Sequence, residues 1–155
     1  MKRILNRLLG GFLVILMGIM VCSVLWQVVS RYIMGSPSSF TEELSRYLLI
    51  WLGILGAAYA SGQQQHLAID LLGPKLSEQG RIRLRIGINI LIALFAFFVL
   101  VVGGANLVYI NYELEQYSAA LHVPLYLVYT VIPLSGLLIM AYKINELFNA
   151  KKYLS

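Results

Sequence analysis

Residues 30–51 read SRYIMGSPSSFTEELSRYLLIW, and this stretch separates two of the most hydrophobic segments of the chain. The sequence GSPS at 35–38 lies between an apolar run that ends at Arg31 and a second run that begins after Arg46. Glycine, serine and proline in such a position indicate a turn. The chain is therefore expected to leave one long helix and to enter a second helix directly.

The composition places the chain in a membrane. Of its 155 residues, 59% are hydrophobic and only 12% are charged, whereas a soluble domain carries about a quarter charged residues. The net charge of +5 is not gathered into one patch, because the basic residues lie at the ends of apolar runs. This distribution argues against a nucleic-acid partner and favours an integral membrane protein.

Four segments are long and apolar enough to cross a bilayer. Residues 8–29 are free of charge over 22 positions and residues 86–112 over 27, and about 20 helical residues cross a hydrocarbon core of about 30 Å. The sequence predicts an all-α integral membrane protein, a single membrane domain over residues 1–155, with a short interfacial helix between its second and third spans. The predicted spans are about 8–33, 40–62, 80–112 and 123–146.

Two local patterns refine these spans. Ser39 and Glu42 have the spacing of a capping box, which predicts that the second helix begins near Phe40. Pro133 lies inside the fourth apolar run and predicts a kink there.

The basic residues give the orientation. Ten of the twelve precede the first uncharged run, lie between the second and third runs, or follow the fourth, which ends at Tyr142: Lys2, Arg3, Arg7, Lys75, Arg81, Arg83, Arg85, Lys143, Lys151 and Lys152. Because lysine and arginine are enriched in cytoplasmic segments, both termini are predicted to be cytoplasmic. The other two connections carry Glu42, Glu43, Glu113 and Glu115.

The four charges around the first turn have two readings. Glu42 can pair with Arg46 at i, i+4, and Glu43, one residue further round the helix, can face Arg31. We expect Arg31 and Glu43 to form an ion pair that joins the first two helices. The alternative is four side chains that extend into the headgroup region and contribute little.

The sequence does not predict a catalytic or metal site. His66 and His122 fall on opposite sides of the predicted membrane, so both cannot ligate one haem. His66 and Asp70 are spaced i, i+4, but two ligands make a weak metal site. The single cysteine, Cys22, cannot form an intrachain disulfide. No nucleophile motif, phosphate-binding loop or HExxH is present, and we expect neither enzymatic activity nor a cofactor.

Transport by this chain alone is the main alternative function. Small transporters place an ionisable group deep in a helix, and the predicted spans have none near their centres. Gln27, Asn89 and Asn106 are interpreted as hydrogen-bonding residues between helices. A self-sufficient, homodimeric small transporter stays open as the alternative. Gly53, Ala57 and Ser61 repeat at i, i+4 and would let another helix approach closely, either within the chain or from a partner.

Three motifs together carry a resemblance to a known family. The first span ends in SRY at 30–32, the second opens with EELSRYLLIW at 42–51, and QHLAIDLL follows it at 65–72. With four predicted spans over the whole chain, this pattern resembles the small membrane subunit of tripartite ATP-independent periplasmic (TRAP) transporters, found in the bacterial inner membrane.

The resemblance implies a three-component importer. A periplasmic binding protein would capture an organic acid, with a sialic acid or another sugar acid favoured by the QHLAID stretch. A large membrane subunit would bind sodium and substrate and move them by an elevator motion. This chain would be its fixed scaffold in a heterodimer, surrounded by lipid.

The resemblance also assigns residues. Arg31, Glu43 and Arg46 correspond to the family's charged hairpin, and His66 and Asp70 to its motif after the second span. The acids predicted to face the periplasm, and so to be available to the binding protein, are Glu42, Glu113 and Glu115.

Overall fold

The computed structural model describes residues 2–63 and 78–148, and the regular secondary structure in this part of the chain is helical. Four segments are long and apolar enough to span a membrane: Ile4–Tyr32, Ser39–Gly62, Gln79–Glu113 and Leu125–Leu147. The prediction of an all-α protein with four transmembrane helices is confirmed. The predicted interfacial helix, with His66 and Asp70, lies outside the described residues.

The first two helices form the predicted antiparallel pair. Helix α1 comprises Lys2–Tyr32 and helix α2 comprises Ser39–Gly62. The predicted capping box is wrong, because the N-cap is Ser38, whose backbone is extended and whose hydroxyl accepts a hydrogen bond from the Thr41 N–H at 3.5 Å. The Glu42 side chain turns away from the helix start and pairs with Arg46. Helix α2 therefore begins one residue earlier than predicted.

The third span changes its helical pitch in the middle. Helix α3, Glu78–Phe95, continues into a π-helical segment, Ala96–Gly103, and then into α4, Gly104–Glu113. The π segment is wholly apolar and contains two valines next to a glycine, and no sequence pattern predicted it. π-Helical turns are rare and widen a helix locally. Here the widened turn lies against the fourth span.

The fourth span is broken near its start. Helix α5, Leu125–Tyr129, and helix α6, Val131–Phe148, meet at Thr130. The cause is Pro133, which cannot donate a hydrogen bond to the Tyr129 carbonyl and whose ring crowds that carbonyl. The interruption therefore falls within one turn before the proline.

Neighbouring spans contact one another in the order first, second, fourth, third. Helix α1 packs on α2, α2 on α6, and α6 on α3 and the π segment. One apolar cluster joins Leu16, Leu55 and Val131, and a second joins Ala58, Ala96 and Ile139. Each cluster contains a residue of α6, so this helix is central and α1 is peripheral.

The two ends of the bundle are joined differently. The hairpin end contains the α1–α2 turn and the connection of residues 114–124. The opposite, terminal end contains the start of α1 and the end of α6, where the Tyr142 hydroxyl donates to the Asn6 side-chain oxygen at 2.7 Å. The start of α1 and the end of α6 thus lie on one side of the bundle, and the assignment of this side to the cytoplasm stays a prediction.

Candidate functional site

The Glu43 carboxylate joins two parts of the hairpin end that are far apart in sequence. One oxygen accepts hydrogen bonds from the Ala119 N–H at 3.1 Å and the Tyr47 hydroxyl at 2.9 Å. The other oxygen accepts from the Ala120 N–H at 2.8 Å and the Leu121 N–H at 2.9 Å. We call Glu43 and these three backbone amides the Glu43 junction. It fixes the connection between the third and fourth spans to the first turns of α2.

The local fold of the connection explains these contacts. Residues 119–121 form a turn, so three successive N–H groups point to one side and make a concave anion site. The turn is closed by the Ser118 hydroxyl, which accepts from the Leu121 N–H at 3.2 Å. A carboxylate has about four acceptor positions on two oxygens. Glu43 therefore fills these positions with three backbone N–H groups and the Tyr47 hydroxyl, and it shares the Leu121 N–H with Ser118.

This geometry replaces the predicted contact between Arg31 and Glu43. The Arg31 guanidinium lies 5.9 Å from the centroid of the Tyr32 ring, on its own helix. Among the described residues, the structure records no ion pair between Arg31 and Glu43. The three amides offer the carboxylate several short hydrogen bonds in fixed positions, whereas the arginine would have to reach across the helix pair. The expected bridge between α1 and α2 is therefore wrong.

Other polar side chains at this end behave as the sequence indicated. Glu42 and Arg46 pair at 3.2 Å, with both side chains more than 60% exposed, so the pair contributes little to stability. The Gln27 amide donates to the Thr41 carbonyl at 2.6 Å and to the Ser45 hydroxyl at 3.0 Å. The interpretation of Gln27 as a link between helices is confirmed. Through it, α1 is joined to α2 beside the Glu43 junction.

The remaining acids of the hairpin end are exposed. Glu113 ends α4 and Glu115 lies two residues further on, in the connection. Neither carboxylate is in an ion pair within the part of the chain that the structure describes. Together with Glu42 they stand on the same end of the bundle as the Glu43 junction.

The terminal end contains a buried ion pair that sequence reasoning missed. The Lys143 ammonium lies 3.1 Å from the Glu146 carboxylate, and both side chains are fully buried. Lys143 also donates to the Ser61 carbonyl, in the last turn of α2, at 3.4 Å. Lys143 was counted as a charge that follows the fourth span. The available signal was the i, i+3 spacing of Lys143 and Glu146, which keeps both on one helical face.

The small residues of α2 lie on its accessible surface. Gly53 is exposed, and a Cβ added there would meet nothing within 4 Å. Ala57 is also exposed, and with the half-buried Ser61 it lines an open apolar groove between α2, α3, the π segment and α6. Asn89, on the buried face of α3, is 1% exposed, and its amide has no hydrogen-bond partner among the described residues.

Comparison with known proteins agrees with these features. A family model described as "Tripartite ATP-independent periplasmic transporters, DctQ component" matches residues 20–152. A TRAP transporter small permease protein of Haemophilus influenzae is 30% identical over 145 residues, which cover 94% of this chain and 88% of the relative.

Two further relatives carry substrate names. The sialic acid TRAP transporter small permease protein SiaQ of Vibrio cholerae is 24% identical, over 99% of this chain and 87% of its own length. The ectoine TRAP transporter small permease protein TeaB of Halomonas elongata is 30% identical, over 83% of this chain and 64% of its own length. The family match covers most of the chain, including the charged hairpin and the spans that follow it. This chain therefore belongs to the DctQ family, the small membrane component of TRAP transporters.

Proposed function

We propose that this subunit is the fixed scaffold of a sodium-coupled importer in a bacterial inner membrane. It forms a heterodimer with a large membrane subunit, which binds the sodium ions and the substrate. Its hairpin end faces the periplasm, its termini lie in the cytoplasm, and a periplasmic binding protein docks transiently on the hairpin end. The transported compound is an organic acid, with a sialic acid or another sugar acid as the first candidate.

The scaffold role is supported by the hydrogen bonds that polar side chains make to other parts of the chain. Glu43, Gln27 and Lys143 bond to groups on other helices or connections. A transport site instead keeps polar groups free to exchange a substrate or an ion. The polar contacts recorded in the described spans favour a subunit that holds its shape while its partner moves.

The exposed apolar surface supports a large membrane partner. Only 11% of the residues in the most apolar part of each of the first three spans are fully buried within the chain. The exposed faces of these spans must be covered by lipid or by another subunit. Gly53 and Ala57 are candidates for contact with the partner, since small residues let two helices approach closely in a membrane.

The docking role rests on charge at the hairpin end. Glu42, Glu113 and Glu115 are exposed there, and rim charges of this kind mainly raise the association rate of a partner of opposite charge. The Glu43 junction keeps the connection that carries Glu115 in a fixed position relative to α2. The acids would therefore be presented as one surface.

The proposed substrate class rests on the sequence that follows the second span. Of the two relatives with substrate names, one is named for sialic acid and the other for ectoine. The QHLAIDLL sequence at 65–72 favours the sugar-acid branch through the resemblance described above.

Reconstitution tests the proposal. Proteoliposomes would contain this chain alone, the large subunit alone or both, with a sodium gradient and with or without the binding protein. Uptake of labelled sialic acid, or of another organic acid bound by that protein, is expected only with both membrane subunits, the binding protein and sodium. Uptake by this chain alone would favour the self-sufficient homodimeric transporter instead, and full uptake by the large subunit alone would contradict the scaffold role.

A further inference from the structure

An open cavity of about 330 Å³ lies at the hairpin end, between the end of α4 and the start of α5. We call it the outer pocket. Its walls are mainly aromatic and acidic side chains, with Gln116 and Pro124 beside them: Tyr112, Glu113, Glu115, Tyr117 and Tyr126. This combination differs from the apolar grooves between the spans, and neither the packing of the helices nor the Glu43 junction accounts for it.

The backbone around the outer pocket is held by hydrogen bonds across the connection. Tyr117 and Pro124 form an isolated antiparallel bridge. The Ser118 N–H donates to the Val123 carbonyl at 2.9 Å, and the Leu125 N–H donates to the Gln116 carbonyl at 2.9 Å. The pocket is therefore formed before any partner binds.

The aromatic walls can accept a cation. Tyr112 and Tyr126 meet edge to face, with ring centroids 5.5 Å apart and an interplanar angle of 81°. Tyr112 and Tyr117 are each about 60% exposed, so much of their ring surface is not used in packing. The face of an aromatic ring carries a negative quadrupole and attracts an ammonium or guanidinium group.

The charge around the outer pocket is negative, like the faces of its aromatic rings. Glu113 and Glu115 are exposed and have no ion-pair partner among the described residues, unlike Glu42, which is paired with Arg46. The C-terminus of α4 adds the partial negative charge of its last carbonyl groups. The ring faces, the two carboxylates and the helix end therefore all favour a positive ligand.

The chemistry selects the kind of cation. Zinc normally takes three or four protein ligands and calcium six to eight oxygen ligands, and no group of three or more His, Cys, Asp or Glu side chains suited to a metal occurs in the described residues. An apolar ligand would strip water from two carboxylates without replacing it. A guanidinium can stack on a tyrosine face and donate paired hydrogen bonds to a carboxylate, and a lysine ammonium can do part of the same.

We infer that the outer pocket binds a basic side chain, arginine before lysine, on the soluble binding protein. This inference rests on the proposed function, because it requires the hairpin end to face the periplasm and the binding protein to dock there. It specifies that the binding protein contributes a basic residue and that this side chain binds in the outer pocket.

The test uses the complex of this chain with its large subunit and the binding protein of the same system, and it measures association rate at low and high salt. The double variant Glu113→Gln/Glu115→Gln removes the charge and keeps the shape, and Tyr126→Leu removes one ring. Glu42→Gln is a comparison within the same docking surface, because Glu42 lies outside the pocket and its charge is offset by Arg46. Tyr109→Leu is the control, since it removes an exposed ring of α4 that does not line the pocket. We expect each pocket variant to slow association by about three- to tenfold at low salt, Glu42→Gln to slow it less, and Tyr109→Leu to leave it unchanged.

A cycle of paired substitutions identifies the basic residue. Each surface arginine and lysine of the binding protein is changed singly to glutamine and combined with Glu113→Gln/Glu115→Gln. One such change should slow association on its own and add little in the combination.

Three results would overturn the inference. Unchanged association with both pocket variants would do so, as would strict additivity for every basic residue. If the unaltered complex fails to associate with the binding protein at all, the proposed function fails as well, and this unaltered control separates the two failures.

Discussion

Adding a single methyl group at Gly136 should loosen the fourth span from the third. A Cβ built at Gly136 would lie 2.8 Å from the Leu100 Cβ, 2.9 Å from a Val101 methyl group and 3.2 Å from the Ala96 carbonyl oxygen. Carbon atoms pack best at about 3.5–4.0 Å. Two of these neighbours belong to the backbone or lie next to it, so they cannot turn away, and α6 itself must shift.

The magnitude follows from two opposing terms. Overpacking a close contact costs about 1–3 kcal/mol, and replacing a helical glycine by alanine returns up to about 1 kcal/mol. Gly87, on the exposed side of α3, is the matched control, because a Cβ added there meets nothing within 4 Å. Gly136→Ala should therefore be less stable than Gly87→Ala by about 1–3 kcal/mol.

Unfolding in mixed micelles by titration with a denaturing detergent measures this difference. With the other tryptophan replaced (Trp26→Phe), fluorescence of Trp51 reports it. The Trp51 indole N–H donates to the Val128 carbonyl at 3.0 Å and should lose that contact when α2 and the fourth span separate. Equal stability of the Gly136 and Gly87 variants would mean that α6 does not approach the π segment as closely as described. That result would remove the fourth span from the centre of the fold.

The remaining predictions concern the two polar clusters and the topology. Glu43→Gln should speed hydrogen exchange of the connection's backbone amides, measured by mass spectrometry, because it leaves one acceptor oxygen where there were two; Glu42→Gln should leave that exchange unchanged. Lys143→Met should lower the free energy of unfolding by about 3–5 kcal/mol. The double variant Lys143→Met/Glu146→Leu should lose less stability than the sum of the two single changes. Additive losses would argue against a coupled pair. A cysteine at Arg83, in a cysteine-free background, should react with a membrane-impermeant reagent only from the cytoplasmic side; labelling from the periplasm would invert the topology.

Most of the fold could be predicted from the sequence, because composition and uncharged length decide it. Only helices of about 20 apolar residues satisfy their own backbone in a bilayer, so four such runs lead to four spans. Local chemistry was also informative where one residue dominates, as Pro133 does at the break before α6. The π segment was not predictable, since nothing separates its sequence, AFFVLVVG, from an ordinary apolar helix.

The partners of the charged residues were much harder to predict. The amides that bind Glu43 are 76 to 78 residues away in the chain. Because every residue except proline has a backbone N–H, the sequence does not show which of them will bind a carboxylate. Arg31 was chosen because Arg46 was already assigned to Glu42, which left Arg31 as the other cation near the turn. Lys143 was assigned to the aqueous side for a similar reason, since a lysine after an apolar run normally reaches water. In the structure the helix continues past it and buries it.

The observed contacts of Glu43 and Lys143 show which helices form the frame of the subunit. Helix α2 is joined to the second half of the chain at three levels: Glu43 binds the turn at 119–121, Trp51 binds Val128, and Ser61 accepts from Lys143. The middle contact uses a carbonyl in α5, just before the break, where the interrupted helix leaves acceptors open. Polar contacts at both ends and between them resist sliding as well as separation of the second and fourth spans, whereas apolar packing alone would resist mainly separation. Helix α1 and the third span lie on the outer sides of this pair. In the proposed transporter, a moving large subunit could therefore press on either of them without displacing the hairpin end, where we propose that the binding protein docks.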